Sequence, residues 1–146
     1  STSRRQRQMC IRDSIYSIIL LRMPENVELR LDDCQPFTLY TDRSRLTQVL
    51  TNLLTNAIKH TKKGYICFGY DVTEQEIRFY VTDTGEGIPD DQLERVFDRF
   101  VKLTQWTNGV GLGLAISKAL VTKLGGRIEV TSQQGVGSTF SVIFPR

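Results

Sequence analysis

Apolar and polar residues follow two different periods along this 146-residue chain, and the switches between them mark out its elements. Ile11, Ile15, Ile18 and Ile19 recur at helical spacing and predict a short amphipathic helix that closes before Met23-Pro24. Val27 to Leu31 and Phe37 to Tyr40 alternate apolar with polar across the turn-like Asp32-Asp33-Cys34-Gln35-Pro36, which predicts two strands joined as a hairpin. The clearest helix follows, with Asp42 as N-cap, one broad stripe of Leu46, Val49, Leu50, Leu53, Leu54, Ala57 and Ile58, and Gly64 as its stop. From Tyr65 the period becomes two. Ile66, Phe68, Tyr70 and Val72, a turn at Thr73-Glu74-Gln75, then Ile77, Phe79 and Val81 predict a second hairpin that ends in Asp83-Thr84-Gly85-Glu86-Gly87-Ile88-Pro89. A short helix over Asp90 to Phe97 and a weakly periodic stretch from Val101 to Asn108 come next. Gly109-Val110-Gly111-Leu112-Gly113 opens another helix, with Leu112, Ile116, Ala119, Leu120 and Leu124 as its expected buried face and Gly125-Gly126 as its end. Arg127 to Thr131 and Thr139 to Phe144 predict a last hairpin. The sum is an α+β two-layer sandwich, with helices over one face of a mixed, mostly antiparallel sheet.

Composition narrows the class. At 40% hydrophobic and 24% charged residues, with Gly 11 and Pro 4, the chain is neither collagen-like nor low-complexity, and its length suits one core. Net charge is +3, but Arg4, Arg5, Arg7 and Arg12 stand in a stretch without acids, so the remaining residues are close to neutral. That distribution does not describe a nucleic-acid-binding face, and no nucleic acid is expected as a partner. Cys10, Cys34 and Cys67 form no CxxC pair, which excludes a disulfide scaffold or zinc site and points to a reducing, cytoplasmic compartment. The longest apolar run, Ile15 to Leu21, is too short to span a bilayer, so no membrane contact by this domain is expected. The Ser/Arg/Gln-rich start without Met suits a piece of a longer protein. Residues 1–22 read as a basic leader and short helix, a linker remnant, and residues 23–146 as the domain proper.

Three features carry candidate chemistry. At 100° per residue, Asn52, Asn56 and Lys59 fall within about 60° of one another, opposite the apolar stripe. Asn is a weak helix former, so the pair costs roughly a kcal/mol without structural return. Its carbonyl oxygen suits Mg²⁺, and a lysine one turn on suits phosphate; a solvated helix face accounts for the same residues. Asp83 ends a hydrophobic strand and precedes Gly85 and Gly87, which let backbone approach a ligand. An ionised carboxylate only accepts hydrogen bonds, so it would select the amino group of adenine against the carbonyl of guanine; a charged turn is the alternative. Gly109, Gly111 and Gly113 at a helix start offer backbone amides to an anion, at spacings that fit neither GxGxxG nor a Walker loop; a flexible linker is the other reading.

Taken in order, Asn-x-x-x-Asn on a helix, Asp-x-Gly-x-Gly after a strand, Phe97-Asp98-Arg99-Phe100, and Gly-x-Gly-x-Gly at a helix start resemble the N, G1, F and G2 boxes of the GHKL ATPase superfamily. Within it the chain resembles the ATP-binding catalytic domain, of Bergerat fold, of bacterial two-component sensor histidine kinases. The run Arg45 to Thr61 matches that family's N-box helix, and Gly125-Gly126 through Gly135-Val136-Gly137-Ser138-Thr139-Phe140 its closing segment. The resemblance implies that Asn56 coordinates Mg²⁺, that Asn52 holds metal or water, and that Lys59 reaches the phosphates. It implies that Asp83 takes the adenine amine, with Gly85 and Gly87 at the purine edge and His60 stacking beside the base or packing. Gly109, Gly111 and Gly113 would supply amides beneath a lid over Val101 to Asn108, and Ile88, Leu112 and Thr139 complete the nucleotide-binding set. Arg99 would act on the transition state or between domains, or form a surface ion pair; Trp106 packs. The cofactors implied are ATP and Mg²⁺.

The same resemblance defines what the chain lacks. The family's phosphoacceptor histidine precedes an acid in a helical hairpin, whereas the one histidine here, His60, precedes Thr61-Lys62-Lys63. The implied activity is therefore transfer of the γ-phosphoryl group of Mg-ATP to a histidine on a dimerisation domain, and through it to a response regulator. The domain itself would be a monomer of a parent that is soluble or anchored in the inner membrane. Two other readings remain at this point: a noncatalytic nucleotide-sensing module, and a retroviral-type aspartic protease suggested by Asp83-Thr84-Gly85. Asn52, where a base would stand, argues against a gyrase-like ATPase.

Overall fold

The computed structural model describes residues 5–7, 15–32, 38–97 and 110–146. The turn over residues 33–36, the 101–108 stretch, Arg99, Trp106, Gly109 and two of the cysteines lie outside the described residues.

Helix α2 (Arg43–His60) is the longest element, and the Asp42 side chain caps it by accepting from the Arg45 N–H at 3.1 Å. Its stripe is buried as the spacing predicts: Leu46, Val49, Leu50, Leu53, Leu54 and Ala57 are almost fully excluded from solvent, and Ile58 packs against them. The helix ends at His60, four residues before Gly64, which instead begins a strand. Residues 15–20 form α1, which contributes Ile15 and Ile19 to the same core while Ile18 faces outward. Before it, β1 (Arg5–Arg7) pairs antiparallel with β3 (Thr38–Tyr40). The leading segment thus pairs with the body of the domain.

The main sheet has five strands in the order β2 (Val27–Leu31), β4 (Gly64–Val72), β5 (Glu76–Asp83), β7 (Gly137–Pro145), β6 (Arg127–Gln133). β4 with β5, β5 with β7 and β6 with β7 are antiparallel, whereas β2 runs parallel to β4. The expected hairpin between residues 27–31 and 37–40 is therefore not formed. The Asp32 N–H donates to Phe68 O at 3.0 Å and pins the exit of β2 onto β4, and the chain returns through β3 and α2 as a crossover, the connection a parallel pair requires.

Register aligns the apolar rows. Val81 stands between Phe68 and Phe140, Phe79 between Tyr70 and Val142, and Ile77 between Val72 and Phe144. These rows face the helices, and the next position along β5 is Asp83, between Ile66 and Ser138.

Two further expectations change. Residues 90–95 form a 3₁₀ helix (Asp90–Arg95) with no buried residue of its own, the form short segments without an inward stripe often take. Helix α3 (Val110–Lys123) buries Leu114, Ala115, Ser117 and Val121, while Ile116 and Ala119 face solvent. Its sequence is apolar on nearly every side, so periodicity left the rotation open. Ser117, fully buried against α2, sets it.

Replacing Leu50 by Ala should cost about 3 kcal/mol of stability through the cavity left at a buried site. Asp42→Ala should cost about 1 kcal/mol through loss of the cap. Chemical denaturation of the two variants checks both the sizes and the order.

Candidate functional site

The polar line on α2 lies in a cleft between two helices. Asn56 is 5% exposed, and α2 packs on α3 through a hydrogen bond from Asn52 Nδ2 to Ser117 Oγ at 3.3 Å. Asn52, Thr55, Asn56, Lys59, Gly113 and Leu114 line a cavity of about 60 Å³. Asn56 Oδ1 is buried and accepts no hydrogen bond from the described residues. A buried amide oxygen without a donor costs free energy unless something electropositive meets it. That oxygen, with Lys59 one turn away, fits a hard cation that keeps its waters and shares a phosphate ligand. Among the described residues no group of three or more His, Cys, Asp or Glu could hold a metal.

Gly111, Leu112 and Gly113 fall within the first turn of α3. The first-turn N–H groups of a helix lack partners within the helix and carry its positive dipole end, so this placement presents donors to an anion. Gly113 shares the cavity wall with the asparagines.

The second half of the site is built on the end of β5. Strand alternation turns Asp83 toward the helices, where it is 5% exposed. Burial raises its pKa above the ordinary aspartate value, opposed by backbone N–H donation from Gly85 and Ser138 and by nearby His60, and assisted by the charge of Glu86. The Gly85 N–H donates to Asp83 Oδ1 at 2.9 Å. Glycine is needed twice in the loop that follows. A Cβ on Gly85 would stand 2.2 Å from His60 O, and Gly87, at φ +72°, would place one 2.2 Å from Gln133 O.

This loop is held from both sides. Towards α2, the Glu86 N–H donates to His60 O at 3.2 Å; towards the β6–β7 turn, the Gly135 N–H donates to Glu86 O at 2.7 Å. The Ile88 N–H donates to Ser132 Oγ at 2.7 Å, and the Ile88 side chain is fully buried in the core. Lys59 also lines a second cavity, of about 310 Å³, with His60, Lys62, Lys63, Thr84, Gly85 and Glu86. Thr139 lines the same groove as Asp83 and Ser138, but its side chain has the other strand parity. On the opposite face of the sheet its hydroxyl meets that of Thr82 at 3.0 Å, in this groove of about 390 Å³ that also runs along Thr84 and Thr131. The residue beside Asp83 is Ser138, whose hydroxyl lies 2.8 Å from that of Ser132. Sequence reasoning missed both serines. Counting back by two from Phe144, Val142 and Phe140 reaches Ser138, and that parity was the available signal.

Comparison with known proteins agrees with this geometry. Residues 41–146 match the family described as histidine kinase-, DNA gyrase B- and HSP90-like ATPases. The sensor protein SrrB of Staphylococcus aureus is 44% identical over 110 residues, covering 72% of this chain and 19% of its own length. The chain thus spans about a fifth of that relative. The mycobacterial sensor histidine kinase MprB superposes with a TM-score of 0.84 at 26% identity, covering 97% of both chains. The full-length ShkA structure in complex with AMPPNP gives 0.82 at 30% identity over 93% of this chain and 29% of its own. The catalytic domain of the histidine kinase ThkA gives 0.81 at 26% identity over 97% and 93%. An all-strand aspartic protease is excluded by the helix-covered sheet. The chain belongs to the histidine kinase-, DNA gyrase B- and HSP90-like ATPase family, with the Bergerat fold, and is homologous to the catalytic domains of sensor histidine kinases.

Proposed function

We propose that this domain binds Mg-ATP and positions its γ-phosphoryl group for transfer to a histidine on a dimerisation domain, which then supplies a response regulator. The observation that carries the reading is the pairing of a desolvated carboxylate, Asp83, with a buried, donor-less amide oxygen on Asn56. The first suits an exocyclic amine and the second a hydrated cation. The AMPPNP complex of the ShkA relative supports a nucleotide ligand.

Each residue then has a task. Asp83 accepts the adenine amine, while Gly85 and Gly87 bring backbone close to the purine edge. Asn56 and Asn52 would hold Mg²⁺, which when bound neutralises phosphate charge and orients the γ-phosphoryl group. Lys59 and the first-turn amides of α3 at Gly111 and Gly113 stabilise the phosphates. The contribution of the protein is orientation and preorganised charge, with no covalent step of its own. His60, mostly shielded from solvent and hydrogen-bonded to Glu86, has a structural partner rather than an exposed imidazole to offer a phosphoryl group. No helix of the described residues is long and apolar enough to cross a membrane, so a domain working on the inner side of a membrane-anchored or soluble parent is compatible with the fold.

Isothermal titration should show ATP and ADP binding at micromolar to millimolar affinity with clear preference over GTP. Asp83→Asn should weaken ADP by at least about tenfold and narrow that preference, since an amide can face either base with donor or acceptor. Equal ATP and GTP binding by the wild type would contradict the reading.

The raised pKa of Asp83 gives the pH dependence its sign. As pH falls through the raised value, the carboxyl protonates, the amine loses its acceptor, and ADP affinity drops. Folding stability moves oppositely: the contribution of Asp83 is full below the ordinary aspartate range and is lost as pH rises through the raised value. Titrations and melting curves across pH check the two slopes.

Asn56→Ala should erase the affinity that Mg²⁺ adds to ATP while leaving Mg-free ADP within about twofold. Calorimetry with Mg²⁺ and with chelator separates the two.

A further inference from the structure

Neither base recognition nor metal binding calls for the contact between His60 and Glu86. His60 closes α2, next to Lys59, and Glu86 stands between the two glycines of the loop after β5. His60 Nδ1 and Glu86 Oε1 are 2.6 Å apart, in the short range of charge-assisted hydrogen bonds. The His60 side chain is 10% exposed and that of Glu86 49%, so the imidazole is fixed by its surroundings and the carboxylate reaches it from the solvent side. A carboxylate cannot donate, so Nδ1 carries the proton. An imidazole free in water favours the opposite tautomer, with the proton on Nε2. Among the described residues, the charged groups around the pair are Lys59, Lys62 and Lys63 along the shared cavity, and Asp83. At the same junction the Glu86 N–H meets His60 O, and Gly85 lies against that oxygen.

We infer that Glu86 is a positioning residue: by hydrogen-bonding His60, it fixes the separation between the helix carrying Asn56 and Lys59 and the loop carrying Asp83. The inference rests on the nucleotide reading above and specifies what sets affinity within it. A nucleoside polyphosphate must touch both halves and gains from a fixed separation. A nucleoside that reaches only the loop does not. The contact is separable from the fold, because the backbone bonds of Glu86 to His60 and Gly135 do not involve its carboxylate.

The test uses the domain with ADP and adenosine as probes, followed by calorimetry and NMR titration. Glu86→Ala should weaken ADP about tenfold, the size of one charge-assisted hydrogen bond, and leave adenosine within about twofold. Glu86→Gln, which keeps an acceptor, should restore ADP to within about threefold of wild type. Imidazole ¹⁵N shifts should report the Nδ1–H tautomer of neutral His60 in the wild type and the Nε2–H tautomer in Glu86→Ala. Equal loss for ADP and adenosine, unchanged ADP affinity, or an Nδ1–H tautomer that persists without Glu86 would each overturn this inference alone. Absence of ADP binding by the wild type would overturn the nucleotide reading and this inference with it.

Discussion

A carboxylate at the end of an apolar row organises the rest of the structure. Ile77, Phe79 and Val81 point from β5 into the core, and the pleat gives Asp83 the same direction. The sheet therefore delivers a charged group to a place where charge is disfavoured. It is tolerated there because Gly85 and Ser138 donate backbone N–H groups to it, and those donors exist only because the following loop bends back and β7 runs alongside. A buried group of this kind destabilises the free domain and rewards a ligand that brings a donor.

The same logic applies to the helices. Asn56 Oδ1 is buried without a partner among the described residues, while its neighbour Asn52 spends its amide on Ser117 and so fixes α3 against α2. One asparagine locks the architecture and the other keeps an oxygen in reserve. The loop between the two polar centres is clamped by His60 on one side and by Ser132 and Gly135 on the other. Asn56 and Asp83 therefore sit on different elements, joined through a loop that hydrogen bonds and the buried Ile88 side chain hold in place.

Much of this was legible in the chain because it depends on local order. The cap at Asp42, the stripe of α2 and the alternation from Ile77 to Asp83 follow from residues close in sequence. Pairing partners did not. Residues 27–31 and 38–40 look like a hairpin, but β2 finds β4 and β3 finds β1, choices fixed by distant strands. The rotation of α3 was hidden because apolar residues surround it, and a buried polar contact decided between its faces. In the site, Asn52, Asn56 and Lys59 were readable as one polar line, and the structure lines one cavity with them and with Gly113 from a separate motif. A motif gives spacing without parity, and the strand register adds Ser138 as the side chain beside Asp83, with Thr139 facing Thr82 in the same groove.

We propose above all that the buried carboxyl of Asp83 is held in readiness for the amine of a nucleobase. The direct measurement is the ionisation of that carboxyl, followed by ¹³C NMR of labelled aspartate across pH with and without ADP. The account predicts titration above the ordinary aspartate value in the free domain and a downward shift on ADP binding, as the amine stabilises the charged form. A carboxyl that titrates at the ordinary value, or whose titration ADP leaves unmoved, would contradict it.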